Sequence, residues 1–287
     1  MPSGRHITTV RLRRIGAEMR KLRKAAGLTR EDVVERTSMN MTTLYRIEYA
    51  RVKPQPRSLR NLLDIYGVGR EQQTELLTLL KESGQKSYLH TYTSELPETY
   101  ATFISFEDEA RSESYYQSLH VPGLLQTEGY ARAVIRGTLP DASQDEVERR
   151  VEARMARQAV LTRADEDPLK FWAIVDEAAL RRQVGGLAVM REQLATLHDA
   201  NEIPNVTFQV IPFGAGAHPG MPGSFVVMRF LDPADPEVVY VDSMAGDLFL
   251  EEEVDIRRFT LAFEHLRAVA LSPAASAALA AAIAGES

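Results

Sequence analysis

The chain has 287 residues, 44% hydrophobic and 26% charged, with no cysteine and a formal net charge of −6. That length accommodates one small domain and one of about 200 residues, while the missing cysteine excludes disulfides, thiolate metal sites, cysteine nucleophiles and thiol redox sensing. The charge is divided: residues 1–60 hold 15 Lys or Arg against 5 Asp or Glu, a net of +10 that leaves −16 for residues 61–287, so a polyanion is the expected partner of the basic part and something else that of the acidic part.

MPSGRHITTVRLRR, at the start, lacks the apolar run of a secretory signal, and no segment reaches the roughly 20 apolar residues of a membrane span. A cytoplasmic location without membrane contact is the expectation. The nearest approach to a span, Ala268 to Gly285, is interrupted by Ser272, Pro273 and Ser276. Leu12, Ile15, Met19 and Leu22 share one face at helical spacing, which predicts a helix from Arg11 to Ala26 stopped by Gly27. Thr29 then stands as an N-cap, with Glu31 and Asp32 in the first turn of a short helix ending near Arg36. Thr37-Ser38-Met39 makes a turn, and Asn40 caps a third helix, Met41 to Glu48, that points Leu44 and Ile47 inward. Met41, Thr42, Thr43, Tyr45 and Arg46 are left outward. Past the break at Lys53-Pro54-Gln55-Pro56, apolar-periodic stretches at Ser58–Tyr66 and Arg70–Leu80 complete an all-α five-helix bundle over residues 1–82.

The run GLTREDVVERTSMNMTTLYRIEYARVKP resembles the XRE class of Cro/cI-type helix-turn-helix regulators. It carries without gaps the G-L-T, the acidic pair, the turn, the capped second helix ending in R-I-E and the later proline of that pattern. Two positions depart: Arg30 replaces the usual Gln, and Ala50 the usual Gly. The resemblance implies that double-stranded DNA is the ligand, with the third helix in the major groove and the helix before it across the backbone. The residues expected at DNA are Arg30, Asn40, Met41, Thr42, Thr43, Tyr45, Arg46, Arg51 and Lys53. Arg46 suits a bidentate guanine contact or a salt bridge to a neighbouring acid, and Thr42 and Thr43 reach base edges or phosphate. Met41 suits a thymine methyl, and Tyr45 either packs against the backbone or stacks in the groove. Arg30, Arg51 and Lys53 suit phosphate. Such domains cover few base pairs, so a homodimer on paired half-sites is expected.

Residues 83–105 are polar, with little helical period, and read as a linker. Residues 106–287 read as an α+β partner- or ligand-sensing and dimerisation domain. Its strands are expected at Ser112–His120, Leu169–Val175, Val206–Ile211, Ser224–Phe230 and Val238–Val241, and its helices at Leu124–Arg136, Gln144–Arg163, Glu177–Gln183, Leu187–Ala200, Glu252–Val269 and Pro273–Ile283. The segments VPGLLQTEGYARAV, FWAIVDEAALRRQVGG and VTFQVIPFGAGAHPGMPGSFVVMRF resemble the C-terminal domain of a large actinobacterial group of antitoxin-like regulators. That resemblance implies control by a small acidic partner protein and supplies no catalytic residue.

The chemistry of this portion is sparse. The six histidines form no H-E-x-x-H. Beyond the linker Lys170 is the sole lysine, which leaves a self-cleaving Ser–Lys pair without support. The glycine-rich run from Gly214 to Gly223 leads from strand to strand, as a long hairpin-like loop, with no helix N-terminus to hold an anion. No catalytic residue, cofactor or metal site is expected. The sequence therefore reads as a non-enzymatic DNA-binding transcriptional regulator, the alternative being an antitoxin that acts by binding and neutralising a partner protein.

Overall fold

Polar caps and apolar stripes set the first helices where the spacing places them. In the computed structural model residues 8–83, 96–163, 167–244 and 246–286 are described. Helices α1 (Val10–Ala25), α2 (Arg30–Thr37), α3 (Met41–Glu48), α4 (Pro56–Ile65) and α5 (Arg70–Glu82) form the bundle. Their stripes meet in one core of Leu12, Ile15, Met19, Val33, Leu44, Ile47, Leu59, Leu62, Leu63, Leu76 and Leu80. Leu22, Val34 and Ile65 are partly buried and pack at its margin. Two boundaries move for local reasons. α1 starts at Val10 because Thr9 accepts the Leu12 N–H on its hydroxyl at 3.3 Å, and α4 starts at Pro56 because a proline in the first helical turn gives up no hydrogen bond.

The first compact unit also takes in Pro97–Glu109 and Leu231–Pro236, while the second is built from Ala110–Phe230 and Glu237 onward. Of the stretch read as a linker, 84–95 lies outside the described residues, and from Glu98 it is helical: α6 spans Glu98–Glu109. Thr102, Phe103, Ile104, Phe106 and Glu107 are buried there, a run too continuous to show a clean helical stripe. Phe106 lies under the Arg13 guanidinium at 4.9 Å. Arg14 bonds Asp232 and lies 3.7 Å from Asp235. Glu109 accepts the Val10 N–H at 3.4 Å and faces Arg11 at 3.3 Å.

The second unit is α+β. Strands β1 (Ala110–Gln117), β2 (Lys170–Asp176), β3 (Val206–Ile211), β4 (Phe225–Phe230), β5 (Val238–Val241) and β6 (Leu248–Leu250) make one sheet in the order β3-β2-β1-β4-β5-β6. β1, β2 and β3 run parallel, and β4 to β6 are antiparallel to their neighbours. The helices are α7 (Glu128–Thr138), α8 (Gln144–Arg157), α9 (Glu177–Arg181), α10 (Leu187–Asp199), α11 (Glu253–Val269) and α12 (Pro273–Glu286). One sheet face, through Tyr116, Ile174, Ile211, Phe225, Val227 and Val239, packs on Phe263 and Leu266 of α11. The Gly214–Gly223 run is a crossover and not the expected hairpin, because β3 and β4 are separated in the sheet by β2 and β1. Single-strand patterns carry no information on which strands pair. β6 was not anticipated, three residues being too few to show alternation.

No single described helix is long and apolar enough to cross a membrane. α11 and α12 pass that test only as a pair bent by 70°, and Ser276, Ala280 and Ile283 of the Ala-rich α12 are buried inside the unit.

Candidate nucleic-acid interface

The geometry of α2 and α3 is fixed by their caps. Thr29 and Asp32 form a reciprocal box: the Thr29 hydroxyl accepts the Asp32 N–H at 3.1 Å, and the Asp32 carboxylate accepts the Thr29 N–H at 2.8 Å. The backbone bond from Thr29, seconded by its hydroxyl, holds the Asp32 pKa below the ordinary carboxylate value. Ser38 ends α2 in a left-handed conformation, φ 57°, and Asn40 starts α3 by accepting the Thr42 N–H at 2.8 Å. Asn40 is therefore a cap first, whatever else it touches. α3 then turns Leu44 and Ile47 into the core and leaves Thr42, Thr43 and Arg46 exposed, with Met41 half-buried.

A buried ionic knot holds α3 to its neighbours. Glu48 is fully buried at the end of α3; it takes the Arg23 Nε at 2.6 Å from α1 and the Arg30 Nε at 2.7 Å from α2. Arg23 also donates to the Leu28 carbonyl at 2.9 Å. Arg30, expected at phosphate, is thus drawn toward the inside of the bundle, and its bond to Glu48 raises its pKa above the ordinary value. The same knot bears on Arg46. The acid two residues on, Glu48, is already shared between Arg23 and Arg30, and Arg46 is an exposed residue of α3.

Tyr45 is half-buried on α3. Its ring lies 4.5 Å from that of Tyr49, with the Arg30 and Arg51 guanidinium groups over it at 5.4 and 5.6 Å. Arg20 covers the far ring, Tyr49, at 4.8 Å and donates to the Glu48 carbonyl. Arginines and tyrosines therefore alternate along the C-terminal half of α3, a cation–π arrangement that keeps several positive groups close together without burying them. Arg51 is exposed and Lys53 half-buried beyond it.

Three features escaped the sequence reading. Arg20 and Tyr49 belong to the cationic surface, and Arg23 joins the buried knot. Gly16 is the third. A Cβ built on it would lie 2.7 Å from the Glu48 carbonyl oxygen, 3.0 Å from that of Ile47 and 3.2 Å from the Ala50 nitrogen, so α1 crosses α3 backbone to backbone there. A lone glycine inside an apolar-periodic helix is the signal that marks such an approach. Ala50, standing where the resemblance implies glycine, adopts φ 53°, the left-handed region that glycine enters at no steric cost.

In the second unit, among the described residues, no group of three or more His, Asp or Glu is placed to hold a metal ion. His218 lies 3.4 Å from Asp176 and accepts the Gly220 N–H at 3.2 Å. Ser224 bonds Gln117 and sits 3.1 Å from the Ser118 hydroxyl.

A family model described as a helix-turn-helix domain matches residues 14–76. A second, described as a domain of unknown function (DUF5753), matches residues 100–281. No curated protein and no solved structure gives a significant match.

Proposed function

The chain belongs to the DUF5753 family and carries a helix-turn-helix domain ahead of that module; from that premise we propose that it is a sequence-specific transcriptional regulator of the XRE type. It acts as a dimer and is controlled through its C-terminal unit by a small partner protein or ligand. The helix-turn-helix domain points to DNA as its ligand. The observation that carries the finer reading is the outward face of α3, where Thr42, Thr43 and Arg46 stand exposed on a helix locked from behind by Glu48. A helix presented this way fits the major groove, and its first outward residues meet base edges.

In this reading Arg46 reads guanine, while Met41, Thr42 and Thr43 read neighbouring positions. Arg51 and Lys53 touch phosphate. Arg30 and Tyr45 act through the stacked arginine–tyrosine surface, Arg30 also holding α3 in place, and Asn40 sets the start of the reading helix. The experiment is selection of bound duplexes from a random-sequence library by the full chain, followed by titration at several salt concentrations. The expected result is an enriched motif with a second half-site about one helical turn away and a steep fall of affinity with salt. A library with no enriched motif, or a flat salt response, refutes the proposal.

A further inference from the structure

The inner face of α11 is fully accounted for. Phe263 and Leu266 are buried against the sheet, with Ile256 and Phe259 beside them. The opposite face carries the exposed charged or basic residues Arg257, Arg258, Glu264 and His265, with exposed apolar ones set among them. Val254 is 72% exposed and Leu261 56%, and with the exposed Ala268 they recur every seven residues, the period of a seam that takes another helix. Single exposed apolar residues need no explanation. A row of them behind an already buried face does.

We infer that this face of α11 binds the same face of a second copy of the chain, the two helices lying antiparallel about a two-fold axis at Leu261. The inference rests on the dimeric reading above and assigns the surface that makes the dimer. Charge chooses both the occupant and the direction. In the antiparallel arrangement Leu261 meets Leu261, Val254 meets Ala268, and Arg258 meets Glu264, each contact occurring twice. Arg257 and His265, both basic, also meet twice and add no complementarity, so the charge argument rests on Arg258 and Glu264. A parallel pair would set Arg257 and Arg258 against themselves. A two-fold interface must be self-complementary in this way, and the order of basic, apolar and acidic residues along α11 supplies it. At present Arg258 bonds Asp255 at 3.2 Å and Glu264 bonds Arg267 at 2.7 Å. Those are surface ion pairs within one helix, worth little and easily exchanged.

One helix face is smaller than the roughly 800 Å² per partner of a stable dimer. The pairing is accordingly weak in free solution and takes hold where two copies already occupy adjacent half-sites, at effective concentrations on the order of millimolar.

The test is a reciprocal charge swap. Arg258→Glu and Glu264→Arg each set like charges against one another twice per dimer, so either variant alone should self-associate at least about tenfold more weakly than the unaltered chain in sedimentation equilibrium at high protein concentration. An equimolar mixture should regain the association, because each swapped charge then meets its complement in the other variant. Leu261→Glu should also dissociate the dimer and abolish cooperative occupancy of a two-half-site duplex while leaving single-half-site affinity unchanged. Circular dichroism melts serve as the folding control. Unchanged association in the swaps, a mixture that stays dissociated, or an unaltered chain that fails to self-associate overturns the inference. If the swaps behave as expected but no duplex is bound, the dimer surface stands and the regulator reading falls; if duplexes are bound and the swaps change nothing, the reverse holds.

Discussion

Replacing Gly16 by alanine tests the backbone crossing of α1 and α3, because two effects of opposite sign compete there. At an open position inside a helix the change stabilises by roughly 0.5–1 kcal/mol, glycine losing more backbone freedom on folding. Here the added methyl would sit 2.7 Å from the Glu48 carbonyl oxygen and 3.0 Å from that of Ile47. Neither can swing aside as a side chain would, so α1 must lift from α3. Overpacking of this kind costs about 1–3 kcal/mol, and lifting α1 also strains the 2.6 Å contact of Arg23 with Glu48. We take the upper part of that range and subtract the helix-propensity gain, which leaves a net loss of about 1–2 kcal/mol. For a unit of this size that lowers the melting temperature by roughly 5–10 °C. Gly137, near the end of α7, supplies the control: a Cβ there meets nothing within 4 Å, so Gly137→Ala should raise stability slightly. Calorimetry of the full chain, which can resolve separate transitions of the two units, is the assay. If Gly16→Ala melts at or above the temperature of the unaltered protein, α1 and α3 do not meet as described.

Other perturbations separate roles within the same unit. Glu48→Ala strands Arg23 and Arg30 around a vacated carboxylate site and should destabilise the bundle by about 3–5 kcal/mol, read by urea denaturation; a change below about 1 kcal/mol would make the knot dispensable. Arg46→Ala should cost about 1–3 kcal/mol on the selected duplex and relax preference at one base position, whereas Lys53→Ala should weaken all sequences alike and reduce the salt slope by about one. Arg30→Ala should instead lower affinity and stability together, because its guanidinium serves Glu48 as well as the outer surface. Burial pushes the Glu109 carboxyl up to about 7, against the opposing pull of Arg11. A carboxyl raised in the folded state favours folding at low pH and loses that contribution as pH rises through its folded value. Stability should therefore decline between about pH 5 and 8 by up to roughly 3 kcal/mol, and Glu109→Gln should flatten the decline; an unchanged pH profile in that variant would contradict the assignment.

The five N-terminal helices were legible because each signal was local: caps at Thr29 and Asn40, a stop at Gly27, and stripes such as Leu59, Leu62 and Leu63 that a solvated helix would not carry. The outward face of α3 followed from the same periodicity. The fate of Arg30 did not, since whether an arginine at a helix start faces solvent or a buried carboxylate depends on where a residue eighteen positions later comes to rest. Tyr45 was ambiguous for a similar reason, its partners Tyr49, Arg30 and Arg51 being assembled by the fold. In the second unit most strands were found from their apolar runs. The 3-2-1-4-5-6 order was not, because Val206–Ile211 and Phe225–Phe230 follow one another in the chain yet have two other strands between them in the sheet.

Membership of Pro97–Glu109 and Leu231–Pro236 in the first unit bears on how this protein can be taken apart. A cut after Ser83 removes the ring beneath Arg13 and the carboxylates opposite Arg14, so the excised piece is not the unit as it exists in the whole chain. Hybrid regulators made by joining these N-terminal helices to a foreign effector module would inherit bare arginines on α1. A graft that transplants all three stretches together, keeping the short turn between β4 and β5 intact, is the smallest exchange that preserves the unit's own surroundings.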